Sequence, residues 1–105
     1  MNNRKSRYAP SPTGSLHLGN ASTFILNHLF ARHFNWEMIF RMEDVCGPRK
    51  KPELIPKTIE TMQWLGLKWN GDVKIQSNHV QSIREYFEVL VEKNCVYQCN
   101  LTRKE

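Results

Sequence analysis

The chain has 105 residues, of which 40% are hydrophobic and 24% charged, and its formal net charge is +5. This length suits one small domain with a single core, and the scattered apolar residues exclude a membrane-spanning helix. The basic first residues lead into no apolar stretch, which argues against a secretory signal. Three cysteines are too few for a disulfide scaffold, so we expect reduced thiols in a cytoplasmic protein. The positive charge is typical of a solvated surface, although it could also attract ATP or RNA phosphate weakly.

The first predicted strand leads into a loop rich in proline and glycine. Residues 7–9 are expected to be extended until Pro10 and Pro12 end the strand, and Gly14 then permits a left-handed turn. Over residues 16–34, apolar side chains at helical spacing predict a helix that is buried over most of its girth. A loop that feeds a helix start presents unpaired backbone N–H groups and the positive end of the helix dipole. This arrangement suits a nucleotide phosphate.

A second strand and a second helix follow. Alternating apolar residues predict the strand over 37–42. The helix is expected to begin near either Pro52 or Pro56, because proline suits the first turn of a helix. It should run to about Leu65, with Gly66 as the C-terminal cap.

The last part of the chain repeats the pattern of strand and helix. A brief strand is expected over 73–75, and the last helix should begin at Ser77 or Asn78 with Gln81 completing a capping box. Asn94 should close that helix. Three strands that alternate with helices predict an α/β fold with about three parallel strands, which is half of a Rossmann-like doubly wound fold. The ligand crevice of such folds lies at the carboxyl ends of the strands.

His17 stands at the predicted helix start and has two interpretations. It is either a polar cap or an imidazole that donates to a phosphate lying over the helix start, and the residue types alone favour neither. Gly19 would leave room for a nucleotide to approach the backbone.

Charged residues at the predicted strand ends could carry further chemistry. Glu43 could accept from a ligand ammonium or be a solvated loop acid. Arg7 and Arg41 could bind a ligand carboxylate or pair with Glu43 and Asp44, and we favour these structural pairs.

The stretch from Arg7 to Asn20, RYAPSPTGSLHLGN, resembles the opening signature of bacterial-type glutamyl-tRNA synthetases, which are class I enzymes. Residues 17–20 stand where that class has its HIGH motif. Residues 41–49 are similar to the family's R-I-E-D-x-D-x-x-R segment. Residues 64–69 and the pair at 76–77 resemble the next two landmarks of the family.

The end of the chain resembles one branch of this family. Residues 97–105 are similar to the Y-P-C-x-C-T-R-K-E segment of glutamyl-queuosine tRNA(Asp) synthetases, and Cys46 before Gly-Pro-Arg fits the same branch. We therefore expect the chain to be closest to those short paralogues. Leu101 replaces the second cysteine of the C-x-C pair, so we expect no zinc site.

The resemblance implies a set of site residues. Those that would contact glutamate are Arg7, Ala9, Ser11 and Glu43, and those that would border ATP are Thr13, His17, Gly19 and Asn20. ATP would be a substrate, accompanied by Mg²⁺. The family reaction joins glutamate to the α-phosphate of ATP, releases pyrophosphate and transfers the glutamyl group to tRNA. His17 would be the catalytic residue, stabilising charge that develops at the α-phosphate.

The resemblance also implies how the chain is organised. Residues 1–105 would form the truncated N-terminal half of a class I synthetase nucleotide-binding catalytic domain. Because the family's KMSKS-type lysine loop belongs to the other half, we predict that the chain does not complete aminoacylation alone. ATP and glutamate are the expected partners, with weak tRNA binding possible and no membrane. The alternatives are a non-catalytic binding remnant, or one subunit of a split or self-associating assembly, such as a homodimer through an exposed sheet edge.

Overall fold

A computed structural model describes residues 4–45 and 47–102 of the chain. Strands and helices alternate along these residues, with short 3₁₀ turns before the last two helices. The elements are β1 (Lys5–Tyr8), α1 (Leu18–His33), β2 (Glu37–Met42), a 3₁₀ turn (Gly47–Arg49), α2 (Leu54–Trp64), β3 (Lys74–Ile75), a 3₁₀ turn (Gln76–His79) and α3 (Val80–Glu92).

The three strands of the described residues form one parallel sheet in the order β1-β2-β3. Tyr8 of β1 lies opposite Phe40 of β2, and Met42 of β2 lies opposite Ile75 of β3. Each pair of strands is joined through a helix, as parallel pairing requires. The predicted α/β fold with three parallel strands and flanking helices is therefore confirmed.

The core lies on one face of this sheet. Met38, Phe40 and Met42, which alternate along β2, are all buried, as the sequence pattern predicts. The Tyr8 ring packs edge-on against Phe24 of α1 and against Phe40, with ring centroids 5.8 and 6.1 Å apart. Burying each large apolar side chain contributes about 1.5–3 kcal/mol, so this layer holds β1, β2 and α1 together.

The three α-helices of the described residues end in the same way. The residue after each C-terminal cap has a positive φ: 55° at Asn35, 75° at Gly66 and 53° at Asn94. In each case the next backbone N–H bonds back to the carbonyl five residues earlier, for example Leu67 to Met62 at 3.1 Å. These are Schellman motifs, which favour glycine or asparagine at the turning position. The predicted ends at Gly66 and Asn94 are thus confirmed.

Helix α1 is much less buried than its sequence predicts. Only Phe24 and Ala31 are buried, whereas Leu26, Leu29 and Phe30 are each more than half exposed. The sheet covers a single stripe of the helix, and the apolar residues outside that stripe face away from it. The prediction that α1 is buried over most of its girth is therefore wrong.

The starts of α2 and α3 also differ from expectation. α2 begins at Leu54, between the two predicted starts at Pro52 and Pro56. α3 begins at Val80 after a 3₁₀ turn, and its N-cap His79 makes no side-chain capping bond. The predicted caps at Ser77 and Asn78 are wrong because Ser77 lies in that turn and bonds elsewhere. Every residue of α3 is exposed, including its apolar stripe.

Among the residues that the structure describes, no helix is both long enough and apolar enough to cross a membrane.

Candidate functional site

The loop between β1 and α1 is anchored through its proline carbonyls. The Pro10 carbonyl accepts a hydrogen bond from the Glu43 amide at 2.8 Å, and the Pro12 carbonyl accepts one from the Lys51 amide at 2.7 Å. Pro10 and Pro12 are both buried. Although proline cannot donate to a ladder, its carbonyl still ties this loop to the segment that follows β2. The loop is thus a fixed feature at the carboxyl end of the sheet.

An open pocket of about 440 Å³ lies between this loop and the first turns of α1. Its lining residues come from the loop and from one face of the helix. They are Ala9, Pro10, Ser11, Thr13, Gly14, Ser15, Leu16, His17, Asn20, Thr23 and Phe24. This volume is within the range of small-molecule sites, which is about 300–1,000 Å³.

Five of the predicted site residues come together in this pocket, namely Ala9, Ser11, Thr13, His17 and Asn20. The other three, Arg7, Gly19 and Glu43, are not among its lining residues. Arg7 is exposed and precedes the buried Tyr8 on β1, so it points to the opposite face of the strand.

Sequence analysis missed Thr23 and Phe24, which line the same pocket. They lie three and four residues after Asn20 and therefore on the same side of α1. This helical spacing is the signal that could have identified them. The Thr23 hydroxyl donates to the Gly19 carbonyl at 3.1 Å, so its methyl group and hydroxyl are held against the helix.

His17 is the N-cap of α1 and forms a capping box with Asn20. The Asn20 amide donates to His17 Nδ1 at 3.3 Å, and the His17 amide donates to Asn20 Oδ1 at 3.2 Å. Because Nδ1 accepts a hydrogen bond, we infer that the proton of the neutral ring is on Nε2. The interpretation of His17 as a cap is therefore confirmed, and Nε2–H stays available as a donor in the pocket wall.

Gly19 packs closely against the His17 ring. A Cβ atom at position 19 would lie 3.0 Å from Cε1 and 3.1 Å from Nδ1 of His17. Both distances are shorter than ordinary van der Waals contacts, so a side chain here would displace the imidazole by a few tenths of an ångström and strain its capping bonds. The structure thus adds a local reason for glycine at this position, and its role in nucleotide binding stays a prediction.

Arg41 and Glu43 form an ion pair at the end of β2, with each side chain about one-third exposed. The predicted structural pairing is confirmed for these two residues. Asp44 makes a different contact, because its carboxylate accepts from the Ser77 amide at 2.8 Å and from the Ser77 hydroxyl at 2.5 Å. Pairing of Asp44 with an arginine is therefore not what the structure shows.

The Asp44 carboxylate is stabilised by its hydrogen bonds. Burial by itself raises its pKa, but the bonds from the Ser77 hydroxyl and amide, its own backbone amide and the charge of Lys50 outweigh that effect. The net pKa is below the ordinary value of 3.8. Asp44 is thus charged at neutral pH and joins the loop after β2 to the turn after β3.

Across residues 4–45 and 47–102, no three histidine, cysteine, aspartate or glutamate side chains are grouped so that they could hold a metal ion. Cys95 and Cys99 are both exposed free thiols. Cys46, whose place before Gly-Pro-Arg fits the glutamyl-queuosine branch, lies outside the described residues, as do residues 103–105, which carry part of the C-terminal resemblance.

A parallel α/β sheet whose first loop meets a capped helix start defines the Rossmann-like class of fold. The sequence model of tRNA synthetases class I (E and Q), catalytic domain, matches residues 4–105. The chain belongs to this family.

Individual relatives agree with this assignment. The chain is 44% identical over 99 residues to the glutamate–tRNA ligase of Synechococcus sp. (strain WH7803), and 43% identical over 101 residues to that of Prochlorococcus marinus (strain MIT 9211). The alignments cover 94% and 96% of this chain but 21% of each relative. The chain thus spans about a fifth of their length.

Solved structures show the same fold. A glutamate tRNA ligase from Elizabethkingia meningosepticum CCUG26117, in complex with its amino acid, superimposes with a TM-score of 0.76 at 30% identity, over 87% of this chain and 20% of that one. The glutamate-tRNA synthetase from Elizabethkingia anophelis superimposes with a TM-score of 0.75 at 30% identity, over the same shares. Assignment to the glutamyl-queuosine branch stays a prediction, because these relatives are named glutamate–tRNA ligases.

Proposed function

We propose that this chain binds ATP and glutamate as the first half of a glutamate-activating site. The observation that carries the proposal is the pocket of about 440 Å³, in which five residues predicted to contact these ligands lie together. Membership of the class I synthetase family supports the same ligands.

The ATP part of the proposal depends on the start of α1. A helix N-terminus carries a partial positive charge and orphan N–H groups, which favour phosphate. His17 Nδ1 is occupied by its cap, so Nε2–H would donate to the α-phosphate. Thr13, Gly19 and Asn20 would border the nucleotide, and Mg²⁺ would enter with ATP as part of the substrate.

The glutamate part depends on residues around the end of the sheet. Ala9 and Ser11 line the pocket, and Glu43 is tied to the loop through its amide. The Glu43 carboxylate would accept from the ligand ammonium while it keeps its contact with Arg41. Arg7 would bind a ligand carboxylate, which requires its exposed side chain to reach the ligand around the strand.

The family reaction proceeds through an adenylate. A carboxylate oxygen of glutamate attacks the α-phosphorus of ATP, the bond to the bridging oxygen breaks, and pyrophosphate leaves. A hydroxyl group of tRNA then attacks the activated carbonyl and AMP leaves. His17 would act by stabilising the negative charge that develops at the α-phosphate.

We expect binding without turnover by the 105-residue chain. Among the described residues that line the pocket there is no lysine or arginine, so no cation in its wall neutralises the departing pyrophosphate. This feature favours the second candidate, a module that binds ligand without catalysis. The comparisons give no support to the predicted homodimer, although the sheet order leaves β1 at an edge of the described sheet.

A matched pair of variants tests the role of His17. We expect His17→Asn to keep the helix cap, because asparagine is a good N-cap, whereas His17→Ala loses it at a cost of about 1 kcal/mol. If the imidazole contacts ATP, both variants weaken ATP binding in calorimetric titration. If only His17→Ala weakens it, His17 acts solely as a cap.

Two further measurements address the ligands and the reaction. Titration of the unaltered chain with ATP and, separately, with glutamate should give saturable binding for each, and absence of both would refute the proposed function. Pyrophosphate exchange with both ligands should stay at background. Robust exchange would show that the chain is a complete catalyst and that the expected lack of turnover is wrong.

A further inference from the structure

The apolar stripe of α3 lacks an apolar partner among the described residues. Its members are between 41 and 52% exposed; they are Val80, Ile83, Phe87 and Leu90. Among the described elements, α3 packs closely only against the 3₁₀ turn that precedes it. The nearby surface of the sheet does not take the stripe, because the open cavity beside Ile83 is otherwise lined by polar side chains. These are Arg41, Lys74, Gln76 and His79.

A helix of this length depends on packing for its stability. α3 has 13 residues, and isolated helices shorter than about 12–15 residues are marginal in water. Most helical stability in proteins comes from burial of an apolar face. A partner that covers the stripe would therefore stabilise α3.

The spacing of the stripe indicates which kind of partner fits it. Positions 80, 83, 87 and 90 follow the alternating three- and four-residue intervals of coiled-coil a and d positions, at which side chains pack into a second helix with the same spacing. A membrane surface is disfavoured, because helices that lie on membranes carry lysine and arginine on the polar face. The polar face of α3 instead carries Glu85, Glu88 and Glu92, with the single cation Arg84. A second helix is thus the fitting partner.

We propose that the stripe of α3 binds the same stripe of a second copy of this chain, with the two helices antiparallel. A two-fold axis midway along the stripe places Val80 against Leu90 of the second copy, and Ile83 against Phe87 of the second copy. Each apolar residue then meets an apolar residue, and the contact closes after two copies because it is isologous. The surface is separate from the sheet edge and from the ATP and glutamate pocket.

The charges beside the stripe are complementary in this arrangement. Arg84 and Glu88 lie on one flank of the stripe, and the two-fold axis brings that flank against the same flank of the second copy. Arg84 of each copy would then lie within reach of Glu88 of the other, which gives two ion pairs at the rim. Neither residue takes part in the two ion pairs found among the described residues.

The contact is small, so the association is weak. The helix is about 20 Å long, and interfaces below about 1,200 Å² are typical of transient complexes. We expect a monomer in the dilute solutions used for unfolding and a dimer at high concentration. In sedimentation equilibrium at increasing concentration, the mass should approach that of two chains and rise no further. A monomer at every concentration, or growth beyond a dimer, would overturn the proposal.

An NOE between copies tests the antiparallel contact. Val80 and Leu90 are about 15 Å apart along one helix, so their methyl groups are too distant for an NOE within one chain. A mixture of isotope-labelled and unlabelled chains should show this NOE in filtered spectra at high concentration. Its absence from a dimeric sample would contradict the antiparallel contact.

A matched pair of substitutions locates the surface. Phe87 on α3 and Leu29 on α1 are 52 and 57% exposed, and glutamine is a good helix former at both positions. Phe87→Gln should weaken dimerisation about tenfold or more, whereas Leu29→Gln should leave it unchanged. Equal weakening would mean that exposed apolar residues associate without specificity, and the proposal would fail. Amide spectra of each variant establish that it is folded.

Exchange of the two charges tests the ion pairs. Arg84→Glu and Glu88→Arg should each weaken dimerisation about threefold. The double variant should recover the affinity of the unaltered chain, because both pairs form again with reversed sign. A double variant that stays weak would show that these charges do not meet. Because titrations with ATP and glutamate report on the pocket at the start of α1, failure here leaves the proposed function unaffected.

Discussion

The carboxylate of Asp44 accepts two hydrogen bonds from Ser77, one from its amide at 2.8 Å and one from its hydroxyl at 2.5 Å. Asp44 is 6% exposed. The contact joins the loop after β2 to the turn after β3, and thereby fixes the segment that carries Glu43. β3 has only two residues, so few backbone hydrogen bonds hold it to β2. The two bonds between Asp44 and Ser77 therefore help to hold the third strand in place.

Replacing Asp44 should destabilise the fold. Asp44→Asn removes the charge from both bonds and turns one acceptor into a donor facing the Ser77 amide or hydroxyl. We expect a loss of about 1–3 kcal/mol in the free energy of unfolding, measured in urea. Asp72→Asn, at an exposed position, is the matched control and should change stability by less than about 0.5 kcal/mol. Equal effects would show that the contact with Ser77 contributes nothing.

The stability of the fold should also depend on pH, because Asp44 is protonated at low pH. Its pKa is lower in the folded protein than the ordinary value of 3.8. The stabilisation is therefore fully present above that value and is lost as the pH falls through the folded pKa. We expect the melting temperature to decrease more steeply between about pH 5 and pH 2 in the unaltered chain than in Asp44→Asn. Parallel curves would contradict this assignment.

Gly19→Ala should weaken the helix start although alanine is the better helix former. The new Cβ would lie 3.0 Å from the His17 ring, so the ring must shift by a few tenths of an ångström. That shift strains the bond from the Asn20 amide to Nδ1, which is already 3.3 Å long. Complete loss of a cap costs about 1 kcal/mol, so weakening it offsets part or all of the gain in helix propensity, which is up to about 1 kcal/mol. We expect no net stabilisation and a displaced Asn20 amide signal in NMR. The exposed Ser22→Ala, three residues further along α1, should stabilise the helix slightly and leave the Asn20 signal in place.

Tyr8→Phe should cost stability without disturbing the core. The Tyr8 hydroxyl lies 2.9 Å from His28 Nδ1 and 3.2 Å from the Lys68 carbonyl, while its ring packs as a phenylalanine ring would. We expect a loss of about 0.5–1.5 kcal/mol per lost hydrogen bond in urea unfolding. A variant as stable as the unaltered chain would show that these bonds add nothing.

Burial raises the pKa of Tyr8 to about 12. The folded chain therefore keeps a proton that the unfolded chain releases above pH 10, and stability contributed by this group is lost as the pH rises from about 10 to 12. An alkaline absorbance titration should show one tyrosine ionising late, and Tyr8→Phe should remove that step. A titration in which no late step is lost would contradict the burial of the hydroxyl.

Replacement by alanine should cost much more stability at the buried Phe40 than at the exposed Phe87. Phe40 is fully buried, whereas Phe87 on α3 is 52% exposed. Phe40→Ala should cost about 3–5 kcal/mol, and Phe87→Ala should cost less than about 1 kcal/mol. Denaturant unfolding of both variants provides the measurement. A large loss in Phe87→Ala would show that the exposed stripe of α3 packs against a partner in solution.

Much of the secondary structure could be predicted from residues that are close together in the sequence. The alternation of Met38, Phe40 and Met42 predicts which face of β2 is buried, because successive side chains on a strand point to opposite faces. The residues at the helix ends predict the Schellman motifs at Gly66 and Asn94, since few residues adopt a positive φ. His17 and Asn20 meet in a capping box for the same kind of reason, as residues three apart at a helix start are within bonding distance.

Contacts between distant parts of the chain could not be predicted from such local patterns. Ser77 has the chemistry of a helix cap, but Asp44, which is 33 residues away, takes both of its donors. Trp64 was not distinguishable from Trp69 by residue type, yet it is 83% exposed while Trp69 packs edge-on against Phe40 at 4.9 Å. The Tyr8 hydroxyl likewise contacts His28 and Lys68, which are 20 and 60 residues away in the sequence.

The sequence by itself therefore determined the class of fold, the loop and capped helix start, and the family, because these depend on backbone preferences and on residues close together in the chain. The tertiary structure alone decided which stripe of α1 is buried, where Asp44 finds its partner and which residues the Tyr8 hydroxyl contacts. Those outcomes depend on how the helices and the sheet pack, and packing brings together residues whose spacing in the sequence carries no signal.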